Sequence, residues 1–187
     1  MKRLLLIFML IQVLTITVGA QEADKVDVPK MEKFWKLDLG FTGVALSYDL
    51  PLSPSFLMET SLGVGPAYTI WNSTYKVNYD FTDPALHFTL VGDWYYNRSK
   101  RFTKGKSLLC NSGNFIGITF RQTSRGLVDE CYSPSLLTNV HWGISREIDA
   151  KWLIRLKIGL GSAYDWNWDE GLLYPSIDLK FSYLFPW

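Results

Sequence analysis

From residue 35 to the end of the chain, apolar and polar positions alternate with period two in seven stretches, the pattern of strands with one apolar face. Trp35, Leu37, Leu39 and Phe41 alternate with Lys36, Asp38, Gly40 and Thr42, and the stretch runs on to Tyr48 before a turn at 49–55. Phe56, Met58, Thr60, Leu62 and Val64 then face away from Glu59, Ser61, Gly63 and Gly65. Leu86, Phe88, Leu90, Trp94 and Tyr96 oppose His87, Thr89 and Asp93; Ile116, Ile118 and Phe120 oppose Gly117, Thr119 and Arg121. Val140, Trp142 and Ile144 oppose Asn139, His141 and Ser145, and Trp152, Ile154, Leu156, Ile158 and Leu160 oppose Arg155, Lys157, Gly159 and Gly161. In the last stretch Ile177, Leu179, Phe181, Tyr183, Phe185 and Trp187 alternate with Ser176, Asp178, Lys180 and Ser182 up to the final residue. Stretches of about ten residues match a tilted strand that crosses a bilayer.

Closed single-chain barrels of this kind have even strand counts, with eight the smallest. The eighth strand comes either from a split of residues 33–50 near Gly40 and Gly43, or from separate pairing of 75–81. The apolar face shifts parity around Gly43, which favours the split. The expected fold is all-β: an antiparallel up-and-down transmembrane β-barrel of about eight strands over residues 33–187, after an N-terminal extension at 21–32.

The N-terminus points the same way. Lys2 and Arg3 precede an apolar run from Leu4 to Val18, and Val18-Gly19-Ala20 offers small residues for cleavage, so residues 1–20 read as a signal peptide. The run is short for a spanning helix, which needs about 20 residues. The chain carries 19 Lys and Arg against 18 Asp and Glu, and losing Lys2 and Arg3 leaves it one negative charge. That balance speaks against nucleic acid as a partner. Phe, Trp and Tyr make 16% of the residues. Trp94, Tyr96, Trp152, Tyr183 and Trp187 are expected to form one interfacial girdle, and Tyr68, Trp71, Tyr164, Trp166 and Tyr174 the other.

Short links at 49–55 and 147–151 suit the periplasmic side. The longer ones at 69–83, 123–134 and 162–171 suit the outside, and the long 97–113 link falls with the short ones. Phe181, Tyr183, Phe185 and Trp187 together resemble the C-terminal assembly signal of Gram-negative outer-membrane barrels, with Pro186 a departure from it. The string Tyr95-Tyr96-Asn97, Lys100-Arg101, Lys104-Gly105-Lys106, Asn111-Ser112-Gly113-Asn114-Phe115 resembles a motif of small Gram-negative outer-membrane β-barrel proteins to which no activity is assigned. The architecture is also similar to the OmpA transmembrane domain. These resemblances imply residence in the outer membrane, with its lipid and its assembly machinery as partners.

Three groups of residues carry candidate chemistry. Asp38, Glu59, Asp93 and Asp178 face inward with Arg121, Arg155, Lys157 and Lys180, and in so narrow a barrel they read as a salt-bridged plug rather than a narrow pore. On that reading, replacing Arg155 or Lys157 by Ala costs about 3 kcal/mol. Arg98, Lys100, Arg101, Lys104 and Lys106 form a basic turn that could hold an anionic partner or simply stay solvated. His87 and His141 face the lumen. No Gly-x-Ser-x-Gly elbow or metal-spaced His pair accompanies them, so a lipid-modifying enzyme is disfavoured and no cofactor is expected. Cys110 and Cys131 fall at opposite ends of the fourth strand, across an apolar band roughly 25 Å tall. Bridged Cα atoms lie within about 7 Å, so this topology excludes a bond between them. The function expected is non-enzymatic: a structural, adhesive or docking role through the outward loops. The alternative is a soluble secreted lipocalin-like barrel with its apolar face turned inward.

Overall fold

The computed structural model describes residues 27–71, 74–78, 82–128, 132–167 and 169–185. Residues 1–20, read above as a signal peptide, and Cys131, Pro186 and Trp187 lie outside them. Ten strands are present: β1 (Phe34–Gly40), β2 (Gly43–Pro51), β3 (Phe56–Gly65), β4 (Ala67–Trp71), β5 (Thr74–Asn78), β6 (Ala85–Trp94), β7 (Gly113–Gly126), β8 (Ser135–Glu147), β9 (Trp152–Asp165) and β10 (Glu170–Leu184). Between β6 and β7 lie a short helix, α1 (Arg98–Thr103), and a 3₁₀ turn at Leu109–Asn111. Eight strands close into an antiparallel barrel in the order β1-β10-β9-β8-β7-β6-β3-β2, and β4 pairs with β5 as a separate hairpin. No helix among the described residues is long and apolar enough to cross a membrane, a fact that says nothing about strands.

The eighth strand arises from the split near Gly43. Gly40 pairs with Gly43 across a two-residue turn, and Gly43 takes a φ of 97°, a region that favours glycine. Residues 74–78 do pair separately, as β5, but on β4 and outside the barrel ladder.

The wall is uneven in height. Strands β1, β2, β3 and β6 have 7, 9, 10 and 10 residues, whereas β7 to β10 have 14, 13, 14 and 15. Two of the expected outer loops are therefore partly strand: β7 runs on to Gly126, and β9 and β10 pair as far as Asp165 and Glu170. The reason is packing. Inward-facing Leu137, Ala163 and Tyr174 on the tall wall bury themselves against Tyr68 of the β4–β5 hairpin, which leans over that end of the lumen. This corrects the expected outer girdle, because Tyr68 and Tyr174 are only 4% and 8% exposed. Tyr164 and Trp166 do lie outside and meet edge to face with ring centroids 5.0 Å apart.

The end that carries both termini is closed by apolar packing. Met31 meets Leu57, Tyr95 and Phe115, while Phe34 meets Cys110, Leu153 and Leu184. The Asn-Ser-Gly-Asn segment locks this floor. The Asn111 side chain exchanges two hydrogen bonds with the Glu32 backbone, at 2.9 and 2.7 Å. Ser112 Oγ accepts from the Glu147 N–H, and the Asn114 N–H donates to Asn97 Oδ1. A side chain at Gly113 would run into the Tyr95 ring.

Cys110 is a buried free thiol in this floor. Burial, reinforced by Glu32, Glu147 and Asp149, pushes the thiol up to about 11. Maleimide at pH 8 is therefore expected to label Cys110 about a hundredfold more slowly in the folded than in the unfolded chain, because the thiolate is the reacting form. The folded rate should keep climbing up to about pH 11; equal rates in both states would show that the floor is open.

Candidate functional site

Strand alternation gathers one layer of charge at mid-height in the lumen. Lys36 and Asp38 come from β1, Ser47 and Asp49 from β2, Glu59 from β3, Asp93 from β6, Arg155 from β9, and Lys180 and Ser182 from β10; each is buried. Glu59 is the hub. Its carboxylate accepts from Lys36 Nζ at 2.7 Å, from Lys180 Nζ at 3.1 Å and from the Arg155 guanidinium. Lys36 also donates to Asp49 at 2.6 Å. Asp38 accepts from Ser47 and Ser182 at 2.7 and 2.6 Å and lies 3.5 Å from Lys180 Nζ. Arg155 donates to the Tyr95 hydroxyl at 2.8 Å and sits 3.6 Å from Asp93, whose other oxygen is 2.9 Å from His141 Nε2. Charges this deep persist only when paired and hydrogen-bonded, which each of these is.

The eight lumen residues expected from the sequence divide into two groups. Asp38, Glu59, Asp93, Arg155 and Lys180 belong to the network just described. Arg121, Lys157 and Asp178 do not. Arg121 donates to Thr89 Oγ1 at 3.1 Å and Tyr68 Oη at 3.3 Å, both neutral. Lys157 is 6% exposed yet makes no hydrogen bond or ion pair with a described residue. Asp178 has an unpartnered Oδ1. The expectation that Lys157 shares a salt bridge with the plug is thus corrected: its ammonium makes no direct ion pair with Glu59 or Asp93, the carboxylates that Arg155 engages.

Two charged members of the network escaped the sequence reading. Lys36 shares its parity with Asp38, a signal already in the alternation. Asp49 reads as a turn residue, but β2 continues to Pro51, and after the parity change at Gly43 its inward positions are Ser47 and Asp49. Catalytic geometry is a separate question. His141 is bonded to Asp93, and among the described residues no serine hydroxyl hydrogen-bonds to His87 or His141.

The basic link is part helix, with Arg98, Lys100 and Arg101 on α1 and Lys104 and Lys106 in the turn and loop that follow, and it is not uniformly exposed. Arg98 is 2% exposed and donates to the Pro29 carbonyl at 2.8 Å, pinning the N-terminal segment; burial lowers its pKa. Arg101 donates to the Ser107 carbonyl at 2.7 Å. Only Lys100, Lys104 and Lys106 remain in solvent, too few and too spread to form a built anion site.

Outside, the polarity is reversed. Leu39, Leu46, Leu62, Phe88, Val140 and Leu160, on six different strands, are each at least 44% exposed. Aromatic side chains collect at the terminal end of this surface. Tyr183 packs against Trp152 and Phe185 at 5.2 and 5.9 Å, Trp35 against Tyr48 at 4.8 Å, and Trp142 Nε1 donates to the Tyr96 hydroxyl. Phe181 is exposed on the same face, and Trp187 lies outside the described residues. Comparison of the chain with protein-family models, with curated proteins and with solved structures found no match.

Proposed function

We propose that this chain is an integral outer-membrane β-barrel protein without catalytic activity, closed in its lumen by the Glu59-centred network, and that it serves a structural, adhesive or docking role through the end opposite its termini. One observation carries the reading: the barrel is charged inside and apolar outside. In water each exposed Leu or Phe forgoes roughly 1.5–3 kcal/mol of burial. Soluble monomers rarely expose contiguous apolar patches beyond a few hundred Å². A lipid-facing belt removes that cost, and the aromatic rim at the terminal end suits a membrane interface. A ligand-binding barrel of the soluble kind needs the opposite arrangement, with apolar side chains around its cavity.

The mature protein is expected to fractionate with outer membranes, to resist extraction by high salt and carbonate, and to run as a faster band when loaded unheated on a denaturing gel. Recovery in the soluble periplasmic fraction would overturn this reading. The network predicts no stable single-channel conductance in planar bilayers; a stable conductance would replace the plug with a pore.

A further inference from the structure

Above the network, between the tall wall and the β4–β5 hairpin, lies a cavity of about 120 Å³. At roughly 30 Å³ per water, that is space for about four waters or for one phosphate-sized group. Its charged lining is Arg121, Lys157 and Lys180 against the single carboxylate of Asp178. Lys180 is already engaged by Glu59 and Asp38, but Arg121 donates hydrogen bonds only to neutral oxygens and Lys157 makes no hydrogen bond or ion pair with a described residue. A lysine this enclosed whose ammonium is held by no direct ion pair is costly, and the carboxylate of Asp178, across the strand pair from it, is one charge against three. An anion placed among these cations would relieve that cost.

The same cavity reaches the outside of the barrel through the wall. On β10 it touches inward-facing Ser176 and Asp178 and also outward-facing Pro175 and Ile177. A cavity that meets both faces of one strand passes around that strand's edge. The edge is there because β1 is short: its last pair with β10 is Gly40 with Lys180, and the last bond across is from the Phe41 N–H to the Leu179 carbonyl. Beyond it β10 has no ladder partner on that side among the described residues up to Glu170. Backbone groups of odd-numbered residues here point to the β1 side, as Leu179 O and the Phe185 N–H show. Pro175 therefore places its missing donor on the open edge and costs no bond to β9. Phe41 and Thr42, at the β1–β2 turn, form the lower lip of this opening.

We propose that the opening is a lateral binding site for an anionic membrane amphiphile. The headgroup, of phosphate type, enters among Lys157, Arg121 and Lys180, and the apolar chain leaves past Phe41, Pro175 and Ile177 into the surrounding lipid. The proposal rests on the membrane reading above, because only there does the outer mouth meet acyl chains.

The test uses purified mature protein in neutral dodecyl maltoside micelles, titrated with dodecyl phosphate and, separately, with inorganic phosphate. Saturable one-to-one binding of dodecyl phosphate is expected, with inorganic phosphate at least about tenfold weaker for want of the chain. Lys157→Met should weaken dodecyl phosphate by about tenfold or more, the scale of one charge-assisted contact. Asp178→Asn should tighten it. Thr42→Trp, which narrows the mouth and leaves every cation in place, should also weaken it. The unheated gel band reports whether each variant is folded, and Thr42→Trp keeps the test decisive if Lys157→Met is not. Binding unchanged in Lys157→Met or in Thr42→Trp would overturn the site, as would equal affinity for inorganic phosphate. Location is scored independently: a protein that fractionates with membranes and fails to bind loses only this site, and one that binds in micelles yet is soluble in cells loses the membrane reading and, with it, the exit of the chain into lipid.

Discussion

Glu59→Gln is expected to lower barrel stability by about 3–5 kcal/mol, the range found when one partner of a buried ion pair is removed. Glutamine keeps the shape and removes the charge, leaving Lys36, Arg155 and Lys180 around an uncharged hub. Arg155→Ala belongs to the same class, because it strips a cation from both Glu59 and Asp93 and a donor from Tyr95. Lys157→Met, which breaks no hydrogen bond or ion pair with a described residue, is expected to shift stability by no more than about 1 kcal/mol or to raise it. Urea titration of the refolded protein in lipid vesicles, followed by the unheated gel band, measures all three. Equal losses for Glu59→Gln and Lys157→Met would mean that the lumen charges act as a diffuse field rather than through the contacts described.

Replacing both Phe185 and Trp187 by Asp is expected to reduce the assembled protein in cells by more than about tenfold while leaving refolding from urea into detergent close to normal. The contrast follows from magnitudes. A charge on the lipid face costs at most about 2–4 kcal/mol at the midplane and about 0–1 near an interface. Phe185 sits at the rim, just past the end of β10, where its N–H still bonds the Trp35 carbonyl at 3.0 Å and its ring meets Tyr183. Stability alone would barely register the change, so a large defect in cells reports a lost assembly signal. Normal surface levels would show that the terminal aromatic run has no such role, and failed refolding in detergent would assign it to the packing of the seam instead.

The difference between Lys157 and Arg155 also marks how far the alternation can be read. Both are basic, two residues apart on one inward face, and the linear pattern treats them alike. Across the lumen they are unlike, because carboxylates on β3 and β6 pair directly with one and not with the other. Tyr68 and Tyr174 make a similar case. Each sits near a strand end, where an aromatic suggests a membrane rim, yet Tyr174 has the inward parity of Asp178 and Lys180, and Tyr68 follows the hairpin into the mouth. Arg98 opens a run of basic residues but spends its guanidinium on the Pro29 carbonyl.

By itself the sequence determined where the barrel strands run and which side chains share a face of each, and it favoured the split at Gly43, because period-two alternation and its change of parity are local properties of the chain. Tertiary structure alone decided which charges meet, how far β7 to β10 climb past their shorter neighbours, and that β1 ends early enough to leave β10 an open edge. Those outcomes depend on register and shear around a closed ladder, where residues more than a hundred positions apart, such as Asp38 and Lys180, are set within bonding distance. No window along the chain contains that information.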